Sequence, residues 1–188
     1  TTNNGTGWKT TDGGANWTAI STGTNDSRIY SSYFINANTG YIGNYTPKLM
    51  RTNDGGANWT VLAATPMGSG FIYGIKFFGQ DSGYACGSSG ARLCRTVDGG
   101  TTFDTVPQPF STSLYTMKFS DFQNGWIFGS NGFAGRTSTG GASWVLYNTA
   151  GSTPYGCYMT NTDSGFVVGT SGYVHKISKA PVSGIEWT

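Results

Sequence analysis

"KTTDGGANWT" occupies positions 9–18 and "RTNDGGANWT" occupies positions 51–60. The two phrases differ only at their first and third letters, and the first letter is basic in both. The phrase returns as "RTVDGGTTFD" from Arg95 and as "RTSTGGASWV" from Arg136. Its anchoring basic residues are Lys9, Arg51, Arg95, Arg136 and Lys176, spaced by 42, 44, 41 and 40 residues. The aromatics Trp17, Trp59, Phe103, Trp144 and Trp187 keep the same beat. A period of this length is the mark of a repeat architecture, so the repeat decides the fold.

Each unit carries more than the phrase. Upstream lies an aromatic-rich segment: "IYSSYF" at 29, "IYGIKF" at 72, "LYTMKF" at 114 and "PYGCYM" at 154. A glycine turn and a short strand follow, as "TGYIGN", "SGYACG", "NGWIFG" and "SGFVVG". A third strand leads into the basic residue, and a fourth carries the aromatic after the glycine pair. Four short strands in about 42 residues, separated by turn formers, are the blade of an all-β, four-stranded antiparallel β-propeller. The expected layout is one propeller domain or propeller fragment over 1–188. It has a half blade at 1–20 and blades at about 28–62, 71–106, 114–147 and 154–188. About four and a half repeats fit either a five-bladed ring or part of a six- or seven-bladed one. No window shows the 3.6-residue period of a helical solenoid.

Composition agrees. The chain has 188 residues, 30 of them Gly, and 15% aromatics, with Ser, Thr and Asn in most polar positions. These are strand and turn formers. Charged residues make up only 11%, about half the usual share. The formal net charge is +2 and no basic run occurs, which excludes the electrostatic footprint of a nucleic-acid binder. The apolar runs, such as 165–169, are too short for membrane insertion by a helix.

The phrase reads as a turn. An Asp carboxylate accepts N–H groups of its own turn, paired glycines adopt positive φ, and the Thr hydroxyl adds a local hydrogen bond. The aromatic then lies over the blade and buries apolar area. Asp12, Asp54 and Asp98 bring one carboxylate each, about a blade apart, whereas a hard cation needs several converging oxygens. No metal and no cofactor is expected. No helix follows the glycines to make a phosphate cradle. Three cysteines cannot all pair internally. Cys86 and Cys94 flank the turn "GSSGA", which leaves two readings: a cross-hairpin disulfide, or two small strand residues.

Period-two alternation puts Tyr30 with Phe34, Tyr73 with Phe77, Tyr115 with Phe119 and Tyr155 with Met159. This assigns the tyrosines to the packing between blades. The alternative is a ring of aligned tyrosines lining a ligand site. Small residues (Ser31, Gly74, Thr116, Gly156) stand on the other face, as crowding near a propeller axis demands.

The phrase resembles the Asp-box of BNR-type repeats, Ser/Thr-x-Asp-x-Gly-x-x-Trp/Phe. Thr10, Asp12, Gly14 and Trp17 match it, as do Thr52, Asp54, Gly56 and Trp59, and Thr96, Asp98, Gly100 and Phe103. In the fourth copy Thr137, Gly141 and Trp144 match, but Thr139 stands in place of the Asp. The fifth keeps only Trp187. With its doubled glycine and the preceding "GYxxG", the unit is most similar to photosystem II stability/assembly factor-like repeats, over essentially the whole chain. The resemblance implies a β-propeller, an exported (extracellular or periplasmic) setting, and boxes remote from any active site. Sialidases, xyloglucanase-type glycosidases, sortilin-type receptors and assembly factors share the box, so it does not select among their functions.

A glycosidase needs two facing carboxylates. The acids outside the boxes are Asp26, Asp81, Asp104, Asp121, Asp163 and Glu186, and Asp81 and Asp163 sit in equivalent turns. His175 has no Ser or Cys partner by motif. A non-enzymatic protein-interaction or assembly module is therefore expected, with a protein partner or self-assembly, and carbohydrate as the alternative ligand. The loops at 21–28, 63–70, 107–113 and 148–154 gather on one face. Tyr45, Phe110 and Phe133 are the candidate exposed interaction aromatics. Open blade edges at the two ends suggest a second reading, the subunit of an extracellular polymer. A fragment of a sialidase- or xyloglucanase-like glycoside hydrolase is the third.

Overall fold

The computed structural model describes residues 5–23, 28–45, 48–62, 66–68, 70–89, 92–149 and 151–178. All its sheets are antiparallel. The first is two-stranded, β1 (Thr6–Lys9) with β2 (Thr18–Ser21). Three four-stranded sheets follow in simple meander order. They are β3 (Ile29–Phe34), β4 (Gly40–Asn44), β5 (Leu49–Thr52) and β6 (Thr60–Val61); then β7 (Ile72–Phe78), β8 (Ser82–Gly87), β9 (Leu93–Thr96) and β10 (Asp104–Thr105); then β11 (Leu114–Phe119), β12 (Gly125–Gly129), β13 (Phe133–Thr137) and β14 (Val145–Asn148). The last sheet has β15 (Pro154–Met159), β16 (Ser164–Gly169) and β17 (Val174–Ser178). The inner strands β3, β7, β11 and β15 pack side by side in chain order. The sheets are the blades of a β-propeller. The fourth strand expected in the last blade, with Trp187, falls at 179–188, outside the described residues.

The second strand of each complete blade is buried along its length, as in "GYIGN" and "GWIFG". Its aromatic is the clasp between blades. Tyr41 stacks on Phe77 of the next blade with ring centroids 3.6 Å apart, and Tyr84 stacks on Phe119 at 4.2 Å. Each polar tip then reaches a carbonyl in the next blade's first turn. Tyr41 Oη donates to Gln80 O (3.4 Å), Tyr84 Oη to Phe122 O (2.9 Å) and Trp126 Nε1 to Thr162 O (2.9 Å). An amphipathic ring serves well here: its body joins the core and its tip satisfies a turn carbonyl. The core is accordingly a series of inter-blade clusters, such as Tyr41, Ile75, Phe77 and Cys94, then Tyr84, Cys86, Phe119 and Trp144.

Of the two readings open for Cys86 and Cys94, the small strand residues hold. Cys94 pairs with Ala85 and Cys86 with Leu93 across β8 and β9, so the two thiols lie on opposite faces of the sheet. Both are free and buried in different clusters. Burial pushes the Cys94 thiol up to about 12 and the Cys86 thiol upward as well. They are small core residues, not a disulfide.

One expectation, the placing of the tyrosines, needs correction. Each inner strand slips register at the same place: between Ile29 and Ser31, Ile72 and Gly74, Leu114 and Thr116, and Pro154 and Gly156. The skipped residue is Tyr30, Tyr73, Tyr115 or Tyr155. A bulge inserts an extra residue and re-aims its side chain. Alternation therefore fails just there, and none of the four rings joins an inter-blade cluster among the described residues.

Candidate functional site

The blades have two ends of different chemistry. At one end, the first turn of each blade meets the DGG turn between its third and fourth strands. Gly55 N–H donates to Asn38 O, Gly99 N–H to Asp81 O, and Gly140 N–H to Gln123 O. Within the turn at Asp54, Thr52 Oγ1 donates to Oδ1 (2.8 Å) and accepts from Gly56 N–H (2.9 Å). Asn58 N–H also donates to Oδ1, and its side-chain amide donates to Oδ2. Asp12 has the same partners in Thr10 and Asn16. Asp98 is held by Thr96 Oγ1 and by the backbone and hydroxyl of Thr102. These bonds favour the charged form, so each carboxyl is lowered to about 2. In the fourth turn the Thr139 hydroxyl takes over the acceptor role, receiving Ser143 N–H at 2.9 Å. Thr137 still receives Gly141 N–H.

The second glycine of each pair has a positive φ, and at Gly100 and Gly141 a side chain would also meet the preceding blade. Gly56, Gly100 and Gly141 have φ of +93°, +89° and +87°. A Cβ at Gly100 would stand 2.6 Å from Leu62 Cδ1 of the preceding blade, and one at Gly141 would overlap Val106. The basic residue in front of the turn also crosses between blades. Lys9 Nζ donates to Gly55 O at 3.0 Å, Arg95 Nη1 to Gly140 O at 3.5 Å, and Arg136 pairs with Asp163 at 2.5 Å. The aromatics differ in burial. Trp144 is 4% exposed and donates to Pro107 O, whereas Trp17 is 56% exposed with no blade packed over it among the described residues.

The other end gathers the loops between second and third strands and those from outer to inner strands. Here the four bulged tyrosines form a continuous row across the blades. Tyr30 to Tyr73, Tyr73 to Tyr115 and Tyr115 to Tyr155 are 5.4, 4.9 and 5.1 Å between centroids. The row widens at one end, where Phe71 touches Tyr30, Tyr45 and Tyr73 at 5.3, 4.8 and 5.5 Å. Arg28 lies over the Tyr45 ring at 5.3 Å and donates to Tyr30 Oη at 3.5 Å. Tyr30, Tyr45 and Tyr155 are exposed and the rest half-buried. Burial and the neighbouring phenols push the Tyr73 hydroxyl up. Sequence reasoning weighed this ring of tyrosines but preferred the core. The signal it lacked was the bulge.

Of the three candidate interaction aromatics, Tyr45 belongs to this face. Phe110 and Phe133 do not behave as expected: they pack on each other at 4.7 Å, and Phe110 meets Trp144 at 5.9 Å. Both are half-buried against the second core cluster. Of the variable loops, positions 24–27, 63–65, 69 and 150 lie outside the described residues, and so do Asp26 and Glu186.

The remaining acids do not converge. Asp121 caps its own turn by accepting Gln123 and Asn124 N–H groups, and Asp163 is engaged by Arg136. No group of three His, Cys, Asp or Glu side chains capable of holding a metal occurs among the described residues. His175 stacks on Tyr173. An open hollow of about 150 Å³ at the turn end is lined by Lys118, Ser120, Asn124, Trp126, Met159 and Asn161, with no carboxylate on its wall.

Compared with solved structures, the chain shares its β-propeller fold with several proteins. A structure of YCF48 bound to a D1 peptide superposes with a TM-score of 0.65 at 18% identity, over 84% of this chain and 53% of that one. An ancestral GH74 enzyme gives 0.68 at 15% identity, over 96% of this chain and 28% of that one. Virginiamycin B lyase from Staphylococcus aureus gives 0.67 at 17% identity, over 87% and 59%. The chain thus spans about half or less of the length of the first of these structures. No protein-family model matches the sequence. No curated protein matches it either.

Proposed function

We propose that this chain is a non-catalytic β-propeller module of an exported protein, holding a protein partner on its loop face. One observation carries the reading: an aromatic row, exposed at both ends and half-buried between, runs unbroken across four blades, on the face where a propeller varies its loops. The repeated carboxylates support it from the opposite side. They lie at the far end of the blades, and each is closed within its own turn. Among the propellers of like fold, YCF48 is one that binds a peptide.

Selection from a displayed library of random peptides tests the reading. Enriched peptides are expected to lose binding to Tyr73→Ser and to keep it with Asp54→Asn. Turnover of a xyloglucan or sialoside substrate by the purified chain would replace this reading with a glycosidase.

Assembly through blade faces is a second reading. Most exposed large hydrophobics lie on the first and last sheets or on the outward side of β3, among them Trp8, Trp17, Phe34, Phe166, Val168 and Val174. Phe166 holds the place that Tyr41, Tyr84 and Trp126 hold in the clasps between blades. Sedimentation across a hundredfold concentration range separates the two. Copies that associate, and that Phe166→Asp separates, support assembly.

A further inference from the structure

The aromatic row has features that select a ligand class, and the inference drawn from them rests on the loop face being the partner surface. Successive rings along the row are inclined by 79°, 36° and 73°. A polysaccharide stacks on flat, coplanar ring faces; tilted rings make ridges and furrows instead. Ridged tyrosine surfaces suit proline, whose ring seats between aromatic edges, and the polyproline II backbone, whose carbonyls carry no internal hydrogen bonds. Phenol hydroxyls supply the missing donors. Serines stand beside the row too: Ser88 Oγ accepts Phe71 N–H at 2.9 Å, and Ser113 Oγ donates to Ser88 O at 3.1 Å. Polyproline II rises about 3.1 Å per residue, so three ring steps of about 5 Å span roughly five residues.

Charge gives the row a direction. Arg28, exposed and held over Tyr45, is the cation at the wide end. The far end closes on Tyr155, with Thr153 and Pro154 before it. The four bulges are a second, independent sign. Each breaks the same ladder position of an inner strand, and the strand gains no core contact for its tyrosine in return. A feature that weakens the sheet four times at one place, and each time presents a ring to its neighbour's ring, marks a surface.

We infer that the row formed by Tyr30, Tyr73, Tyr115 and Tyr155 binds an extended, proline-containing peptide segment of about five residues, with an acidic residue set against Arg28.

Three blocked synthetic peptides test this: a Pro/Ala five-mer with an Asp at one end, the same with Lys, and an all-Gly/Ser five-mer with Asp. A β-glucan hexasaccharide is the fourth probe. Titrations followed by tyrosine fluorescence and by amide chemical shifts should show the Pro/Ala–Asp peptide binding at least tenfold tighter than the Lys or Gly/Ser peptides. Tyr115→Ser should weaken it at least tenfold and Tyr115→Phe a few-fold. Arg28→Glu, an exposed site that leaves folding intact, should reverse the preference from the Asp to the Lys peptide. Equal affinity for the Asp and Lys peptides, or tighter binding of the hexasaccharide, overturns the inference. So does binding that survives Tyr115→Ser in a variant whose melting temperature is unchanged. If library peptides enrich on the loop face but the proline probes do not bind there, this inference fails while the interaction reading stands. If nothing enriches on the loop face, the interaction reading fails with it.

Discussion

The DGG turns and the tyrosine row repeat with the same period and lie at opposite ends of the same blades. They differ in where their bonds go. The Asp54 carboxylate and the Thr52 hydroxyl find all their named partners within four residues, and the bonds that leave the turn go to the first turn of the same blade and to Lys9 of the preceding one. The tyrosines meet one another ring to ring, across blades, and the rings at the two ends of the row, Tyr30 and Tyr155, stay exposed. Repetition alone therefore does not separate fold from function. Local closure does: a repeated element that consumes its own chemistry builds the blade, and one that leaves chemistry open has some to offer a partner.

The hardest blow to the closed end is a side chain at the second glycine. Gly100→Val meets both a positive φ and Leu62. It should cost roughly 3 kcal/mol or more in urea-induced unfolding. A loss under about 0.5 kcal/mol would mean the turns do not tie the blades together. Removing the hydroxyl of Thr96 should come next. It is 2% exposed, donates to Asp98 and accepts Gly100 N–H, so Thr96→Val should cost about 1–3 kcal/mol.

Acid sharpens the comparison between copies. Asp12, Asp54 and Asp98 have folded-state values depressed to about 2 from 3.8. Their contribution is present above about pH 4 and is lost as pH falls from about 4 towards 2, since the unfolded chain binds protons first. The melting temperature should fall over that window. Replacing all three by Asn should flatten the fall, while the Thr139 turn, which carries no carboxylate, contributes nothing to it. At that turn Thr139→Asp should restore the fourth anchor, for a gain of about 0.5–1 kcal/mol at neutral pH. The smallest effect belongs to the open end: Tyr155→Ser, at 59% exposure, should change stability by less than about 0.5 kcal/mol.

The repeat was legible in full because period and turn chemistry are local. The alternating strands, the glycine pairs and even the decay at Thr139 could be read from letters. The row was half-legible. Its tyrosines aligned in sequence, but period-two counting placed them in the core, because a bulge is set by how β3 and β4 meet and leaves no mark on "IYSSYF" alone. Phe110 and Phe133 were misplaced for a related reason. Phe110, beyond β10, meets Trp144 and Phe133 of the next blade, contacts that no local pattern reports. The clasp rule, with Tyr41, Tyr84 and Trp126 each reaching the next blade's turn carbonyl, was visible as aromatic residues but not as donors.

The central claim is that the open end, not the repeated turns, meets the partner. Amide chemical shifts recorded while a library-selected peptide is titrated test it most directly. The account predicts shifts concentrated at Arg28, Tyr45, Phe71, Tyr73 and Tyr115, with Gly14, Gly56, Gly100 and Gly141 unmoved. Shifts centred on those glycines, with the tyrosine row silent, would contradict it.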